Sequence, residues 1–222
     1  MPKMKYKSLT LIGTSHIAQQ SIDDVTKVIL EEKPAIVALE LDKKRLYALL
    51  HQDQEQKIGW KDIRRIGFKG FVFLKIGAWA EKKLGNRVGV FPGADMLTAY
   101  HLAKKHKIKV FLIDQDIEVT LKALSKKISW KEKGIFVWEL LTISFRKKQK
   151  YQFDLTKVPS KKLIKELIEE TKQKYPNIYE VLIKQRNYVL AKNLSDLMRK
   201  LPEEKIVAVI GAGHEEEIIA LI

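Results

Sequence analysis

Four short apolar runs constrain this chain more than any other feature. They are "LTLIG" (Leu9–Gly13), "IVALEL" (Ile36–Leu41), "VFLID" (Val110–Asp114) and "IVAVIG" (Ile206–Gly211). Each is continuous rather than alternating, and each is bounded by charged, Pro or Gly residues. Strands wetted on one face alternate, whereas runs like these fit strands covered on both faces, as in a parallel sheet. Helical patterns lie between them. Ser21 starts the first, with Asp24 three residues on as its capping-box partner. Ile22, Val25, Val28 and Ile29 then form an apolar stripe, and Pro34 closes the segment. A second helix follows Asp42 with Leu46, Leu49 and Leu50 inward. A third runs from Gly93 or Ala94 to about His106 with Met96, Leu97, Tyr100 and Ala103 inward. Strand and helix in alternation predict an α/β fold with a mainly parallel central sheet flanked by helices. The 222 residues fit a single domain spanning 1–222.

Two stretches leave that rhythm. Residues 52–92 start polar and become apolar and aromatic, which predicts a helical insertion. Its most apolar part, Phe68 to Ala80, is interrupted by Lys69 and Lys75. It falls short of the roughly 20 apolar residues that span a bilayer. It fits an amphipathic hairpin packed on the sheet, on a second subunit in a homodimer, or on a membrane surface as a peripheral contact. Residues from about 127 to 200 are helical in pattern: "GIFVWELLTISF", "SKKLIKELIEETKQK" and "NIYEVLIKQRNYVLAKNLSDLMRKL", punctuated by Pro159, Pro176 and Pro202.

Composition excludes some chemistry. With no cysteine there is no disulfide, thiolate metal site or cysteine nucleophile. The net charge of +15 and pI of about 9.7 fit an anionic partner or a lysine-rich surface. Lysines are spread along the chain and often sit near glutamates, and there is no arginine-rich arm or RNP-like aromatic motif, so nucleic acid is not the expected partner. The apolar run behind "MPKMKYK" breaks at Gly13, which is not a secretory pattern, and a cytoplasmic location is expected.

The chemistry concentrates at the ends of the apolar runs. "GTSH" (Gly13 to His16) follows the first and "GAGH" (Gly211 to His214) the last. With 11 Gly and 5 His, chance supplies about a quarter of one such spacing, yet two occur in matched contexts. Open parallel sheets bind ligands beyond the carboxyl ends of their strands. The other runs deliver Glu40 and Asp42, and Asp114 and Asp116, to the same edge. A glycine there permits a sharp turn or a close approach that other residues forbid. Asp42 and Asp116 also suit plain helix N-caps, and His51, His101 and His106 receive no role. Glu40 is different, because an unpaired charge inside "VALELD" would be costly. His16, Glu40 and His214 could together ligate a divalent metal ion with positions left for water. The same three could act without metal, one histidine as base, Glu40 orienting it, and the other histidine stabilising charge or protonating a leaving group. Ser15 and Asp114 are the supporting candidates.

At these residues the chain resembles the TraB/PrgY (pheromone shutdown) family. The stretches that carry the likeness are "GTSHIAQQSIDDVTKVILEEKPAIVALELDKKRLYALL", "GADMLTAYHLAKKHKIKVFLIDQDIEVTLKAL", "QRNYVLAKNL" and "VAVIGAGH". That family is similar to Tiki proteases, erythromycin esterases and ChaN-like proteins, whose shared pattern of two G-x-x-H motifs and a strand glutamate matches His16, Glu40 and His214. The resemblance implies a metal-dependent, peptidase-like hydrolase, with Arg45 and Arg186 anchoring a carboxylate of a peptide or small-molecule substrate. It equally implies a non-catalytic module that sequesters a peptide or other ligand in the same crevice. A third reading is a membrane-surface or assembly protein using the aromatic segment around 60–80. Relatives carry arginine near Gln115 and Ala123 and glutamate near Gln185, so this chain departs from the pattern there. Many relatives continue into membrane helices, whereas this sequence stops at Ile222.

Overall fold

The computed structural model describes residues 3–15, 18–51, 90–142 and 157–222. The expected insertion at about 52–92, the end of "GIFVWELLTISF" and His16 lie wholly or mainly outside them. The elements are β1 (Lys3–Tyr6), β2 (Leu9–Thr14), α1 (Gln19–Glu32), β3 (Ile36–Leu39), α2 (Lys43–Leu50), α3 (Ala94–Lys105), β4 (Lys109–Leu112), α4 (Ile117–Lys127), α5 (Trp130–Thr142), α6 (Lys161–Lys174), α7 (Pro176–Tyr179), a π-helical turn (Glu180–Lys184), α8 (Gln185–Lys200), β5 (Ile206–Gly211) and α9 (Glu215–Leu221).

The strands form one sheet in the order β1-β2-β5-β3-β4. β2, β5, β3 and β4 run parallel, and β1 is antiparallel to β2. This is the mainly parallel α/β sheet expected from the four runs, with one addition. "KMKY" reads in the sequence as a basic lead-in, but it pairs with β2 from Lys3↔Ile12 to Tyr6↔Leu9. Its burial alternates, as an edge strand's does. Lys7 makes the hairpin turn with φ of 50°. β2, β3 and β5 are buried along their whole length. β4 is the other edge, so the run "VFLID" is only half covered and Phe111 is 38% exposed.

Alternate residues of the central strands face opposite layers. Leu9, Leu11, Ile36, Ala38, Ile206, Ala208 and Ile210 pack on Leu190, Ala191, Leu194 and Leu197 of α8 and Ile218 of α9. Ile12, Val37, Leu39, Val207 and Val209 pack on Val25, Val28 and Ile29 of α1 and Met96, Ala99 and Ala103 of α3. A smaller cluster of Leu124, Ile128 and Val181 joins α4 to the π turn.

Three local expectations change. α1 starts at Gln19, capped by Ala18 without a side-chain bond. Ser21 is buried and does not cap; its hydroxyl donates to the Ser15 carbonyl and accepts from the Ser15 N–H, both at 2.9 Å. Leu50 is 38% exposed, while Leu46 and Leu49 pack inward. Asp42 and Asp116 do cap α2 and α4. Among the described residues no helix is long and apolar enough to cross a membrane.

Candidate functional site

β2 and β5 are adjacent and parallel, with Gly13 opposite Ile210 and Thr14 opposite Gly211. The two glycine-led motifs therefore leave the sheet side by side. The Thr14 hydroxyl donates to the Ile210 carbonyl at 3.1 Å, and the Ala212 N–H to the Thr14 carbonyl at 2.9 Å. The His214 N–H closes a tight turn onto the Gly211 carbonyl at 2.9 Å, and α9 starts at once behind it. Gly13 is still in the strand, and its φ is not positive. Its smallness serves close approach. A Cβ there would stand 2.3 Å from Cδ of Glu215, whose side chain lies across it.

Glu40 follows β3 and is 3% exposed. Its N–H bonds to the Val209 carbonyl at 3.1 Å, and its Oε2 accepts from the Gly211 N–H at 2.6 Å. The side chain thus binds the glycine of the second motif. Oε1 accepts from Nη2 of Arg186 and lies 3.5 Å from Nε2 of His214. His214, also buried, sets Nδ1 against Oδ1 of Asn187, whose Nδ2 donates to Glu217 at 2.7 Å.

Arg186 extends from the first turn of α8, just past the π turn, where the Gln185 N–H reaches back five residues to the Glu180 carbonyl. π turns are frequent at functional sites. The guanidinium bridges Glu40 and Asp114, with Nε 3.1 Å and Nη2 2.5 Å from Oδ2 of Asp114 and Nη1 3.3 Å from the Leu182 carbonyl. Burial works against this cation, but Glu40 and Asp114 outweigh it and raise its pKa further. Arg45 reaches the same Asp114 oxygen through Nη2 and Asp42 through Nε at 2.8 Å. Asp114 is therefore the shared anchor of both arginines. Nearby, burial pushes the Glu215 carboxyl up, with Lys161 and the Gly13 backbone opposing in part.

Of the residues singled out in the sequence, Glu40, Asp114, Arg186, Arg45 and His214 form one connected cluster. Ser15 exchanges backbone hydrogen bonds with the Ser21 hydroxyl instead, and His16 lies outside the described residues. Gln115 bonds the Thr120 hydroxyl at 2.7 Å and Gln185 approaches Glu180 at 3.4 Å, while Ala123 packs on the α4 cluster. Asn187, Glu215 and Glu217 were not anticipated. Their only signal is adjacency, since Asn187 follows Arg186 and the two acids follow His214.

A profile of the TraB/PrgY/gumN family matches residues 3–217. The chain is 37% identical to an uncharacterised protein of Methanocaldococcus jannaschii, covering 94% of this chain and 52% of that protein. It is 24% identical to a human protein named TraB domain-containing protein, covering 92% of this chain and 60% of that one; a mouse protein of the same name is 23% identical. The chain thus spans little more than half the length of these relatives.

Proposed function

The chain belongs to the TraB/PrgY/gumN family, and from that premise and the geometry of the cluster we propose that the sheet edge is the centre of a metal-dependent hydrolase acting on a peptide or a related amide or ester bond. The supporting observation is the pair His214–Glu40. Its 3.5 Å separation exceeds the roughly 2.7–2.9 Å of a charge-assisted hydrogen bond. It is close to the roughly 3.4 Å between two ligands of one tetrahedral cation with bonds of about 2.0–2.2 Å. That spacing would suit a cation held between the two atoms. His214 and Glu40 would hold the metal, with His16 as the third ligand of this reading. Among the described residues no group of three His, Cys, Asp or Glu could hold one. A bound divalent ion would acidify water and polarise the scissile carbonyl.

The chain's own residues have separable tasks. Arg186 and the Gly211 N–H hold the Glu40 side chain in place, each on its own oxygen. Asp114 holds Arg186 in place, and Arg45 holds Asp114. Elemental analysis of the purified chain, alongside a screen of peptide and ester substrates, tests the reading. About one divalent ion per chain is expected, with turnover lost in His214→Ala and Glu40→Gln while the circular dichroism is kept. A chain that takes up no metal and releases no product would overturn it. A second reading, a sequestering module, draws on the Arg186 contact, because a carboxylate already neutralised by a guanidinium is a weaker metal ligand. Tight peptide binding without products would favour it.

A further inference from the structure

We propose that Asn187 and Glu217 are positioning residues that fix which nitrogen of His214 carries the proton, so that Nδ1 is the protonated nitrogen of the neutral ring and Nε2, on the Glu40 side, the basic one. The inference deepens the reading of His214 as a working ring. It begins at Glu217, whose carboxylate accepts hydrogen bonds and cannot donate them. The 2.7 Å contact with Asn187 must therefore come from the amide NH2. That sets the amide's orientation and turns Oδ1, an acceptor only, toward the ring. Nδ1 must then be the donor. Asn187 is fully buried, and turning its amide over would set oxygen against the carboxylate.

The consequence holds in both charge states. Nδ1 keeps its proton whether the ring is neutral or cationic, and Nε2 is the nitrogen that gains or loses one. Rings that ligate metals commonly give their other N–H to such a partner, and its loss lowers affinity by about 10–100-fold. Here the partner is an amide polarised by a carboxylate two residues past the start of α9.

The test is nitrogen NMR of the full chain, labelled with 15N-histidine, freed of metal by chelation and held at alkaline pH. His214 is assigned by the signals lost in His214→Gln. A protonated Nδ1 and a pyridine-type Nε2 are expected. In Glu217→Gln the new carboxamide accepts either orientation of Asn187, so the two tautomers mix; Asn187→Leu removes the acceptor and does the same. Glu217 is only half-buried, so its variant carries the test if Asn187→Leu does not fold. A wild-type ring protonated at Nε2, or wild-type shifts kept in both variants, overturns the proposal. Titration with zinc alone separates it from the functional reading. Wild-type chain that binds no zinc but shows the stated tautomer ends the metal reading and leaves the positioning role standing. If zinc binds, Glu217→Gln is expected to weaken it about ten-fold.

Discussion

Gly13 meets a side chain from the far end of the sequence. Nothing larger than hydrogen fits there while the Glu215 carboxyl, 4% exposed, stays against it. Gly13→Ala should cost about 1–3 kcal/mol by forcing that carboxyl aside. Combined with Glu215→Ala, which empties the space, it should cost less than half as much. Urea midpoints in a double-mutant cycle measure this, and additive costs would refute the contact. Arg186 carries a larger stake. Glu40 and Asp114 are both buried and both bonded to its guanidinium. Arg186→Met removes the cation that bridges the two buried carboxylates, leaving Asp114 to Arg45 and Glu40 to the Gly211 N–H, and a loss of about 3–5 kcal/mol is expected. Arg186→Lys should recover only part, because a point charge cannot bridge both acids as the planar fork does. Denaturant titrations of the two variants check the order.

Elements carry the next level of constraint. Asp42 accepts from the N–H groups of Lys44 and Arg45, from Nε of Arg45 and from the N–H of Ile117 at 3.3 Å, so one carboxylate caps α2 and ties it to the start of α4. Asp42→Ala should lose about 1–2 kcal/mol, and Asp42→Ser should regain the cap share alone; chemical denaturation resolves the difference. β1 is also tied to Glu32 at the end of α1, which Lys3 and Lys5 hold at 2.7 and 2.9 Å. Hydrogen bonds from Lys3 and then Lys5 lower its pKa from 4.5 to about 2. A carboxyl depressed on folding binds fewer protons in the native state, so its stabilisation is full above 4.5 and fades as pH falls toward 2. Hydrogen-exchange protection of the β1 amides should fall across that window, and Glu32→Gln should show the lower protection on both sides of it. These elements also mark what the sequence makes legible. β2, β3 and β5 declare themselves because strands buried on both faces are apolar throughout. Glu40 stands out because a charge in such a run needs partners. β1 escaped notice because an edge strand needs only an alternating face, and "KMKY" between lysines reads as a basic tail. Asn187 and Glu217 were not legible because their role depends on how the π turn and α8 are rotated toward α9, which no local pattern encodes.

At the scale of the molecule, the last strand in sequence is the middle of the sheet. β2 and β3 never pair; each is bonded to β5, with Ile12 and Leu39 both opposite Val209. Without β5 the sheet divides into β1–β2 and β3–β4, and isolated two-stranded pairs are marginal in water. The candidate site depends on the same strand, because Gly211 and His214 come from its carboxyl end. The bonds that complete it join residues 171 and 196 positions apart, Gly211 to Glu40 and Thr14 to Ile210. Closing such separations is slow in folding. The sheet and the site should therefore form in one late step, after the local helices. Pulse-labelled hydrogen exchange during refolding should show the amides of β2, β3 and β5 gaining protection in a single phase, later than those of α1 and α8. A chain stopped after Glu203 should keep helical circular dichroism and lose its cooperative unfolding transition. Protection of β3 that precedes β5, or a sharp transition in the shortened chain, would mean that one half of the sheet is stable alone and that β5 merely docks onto it.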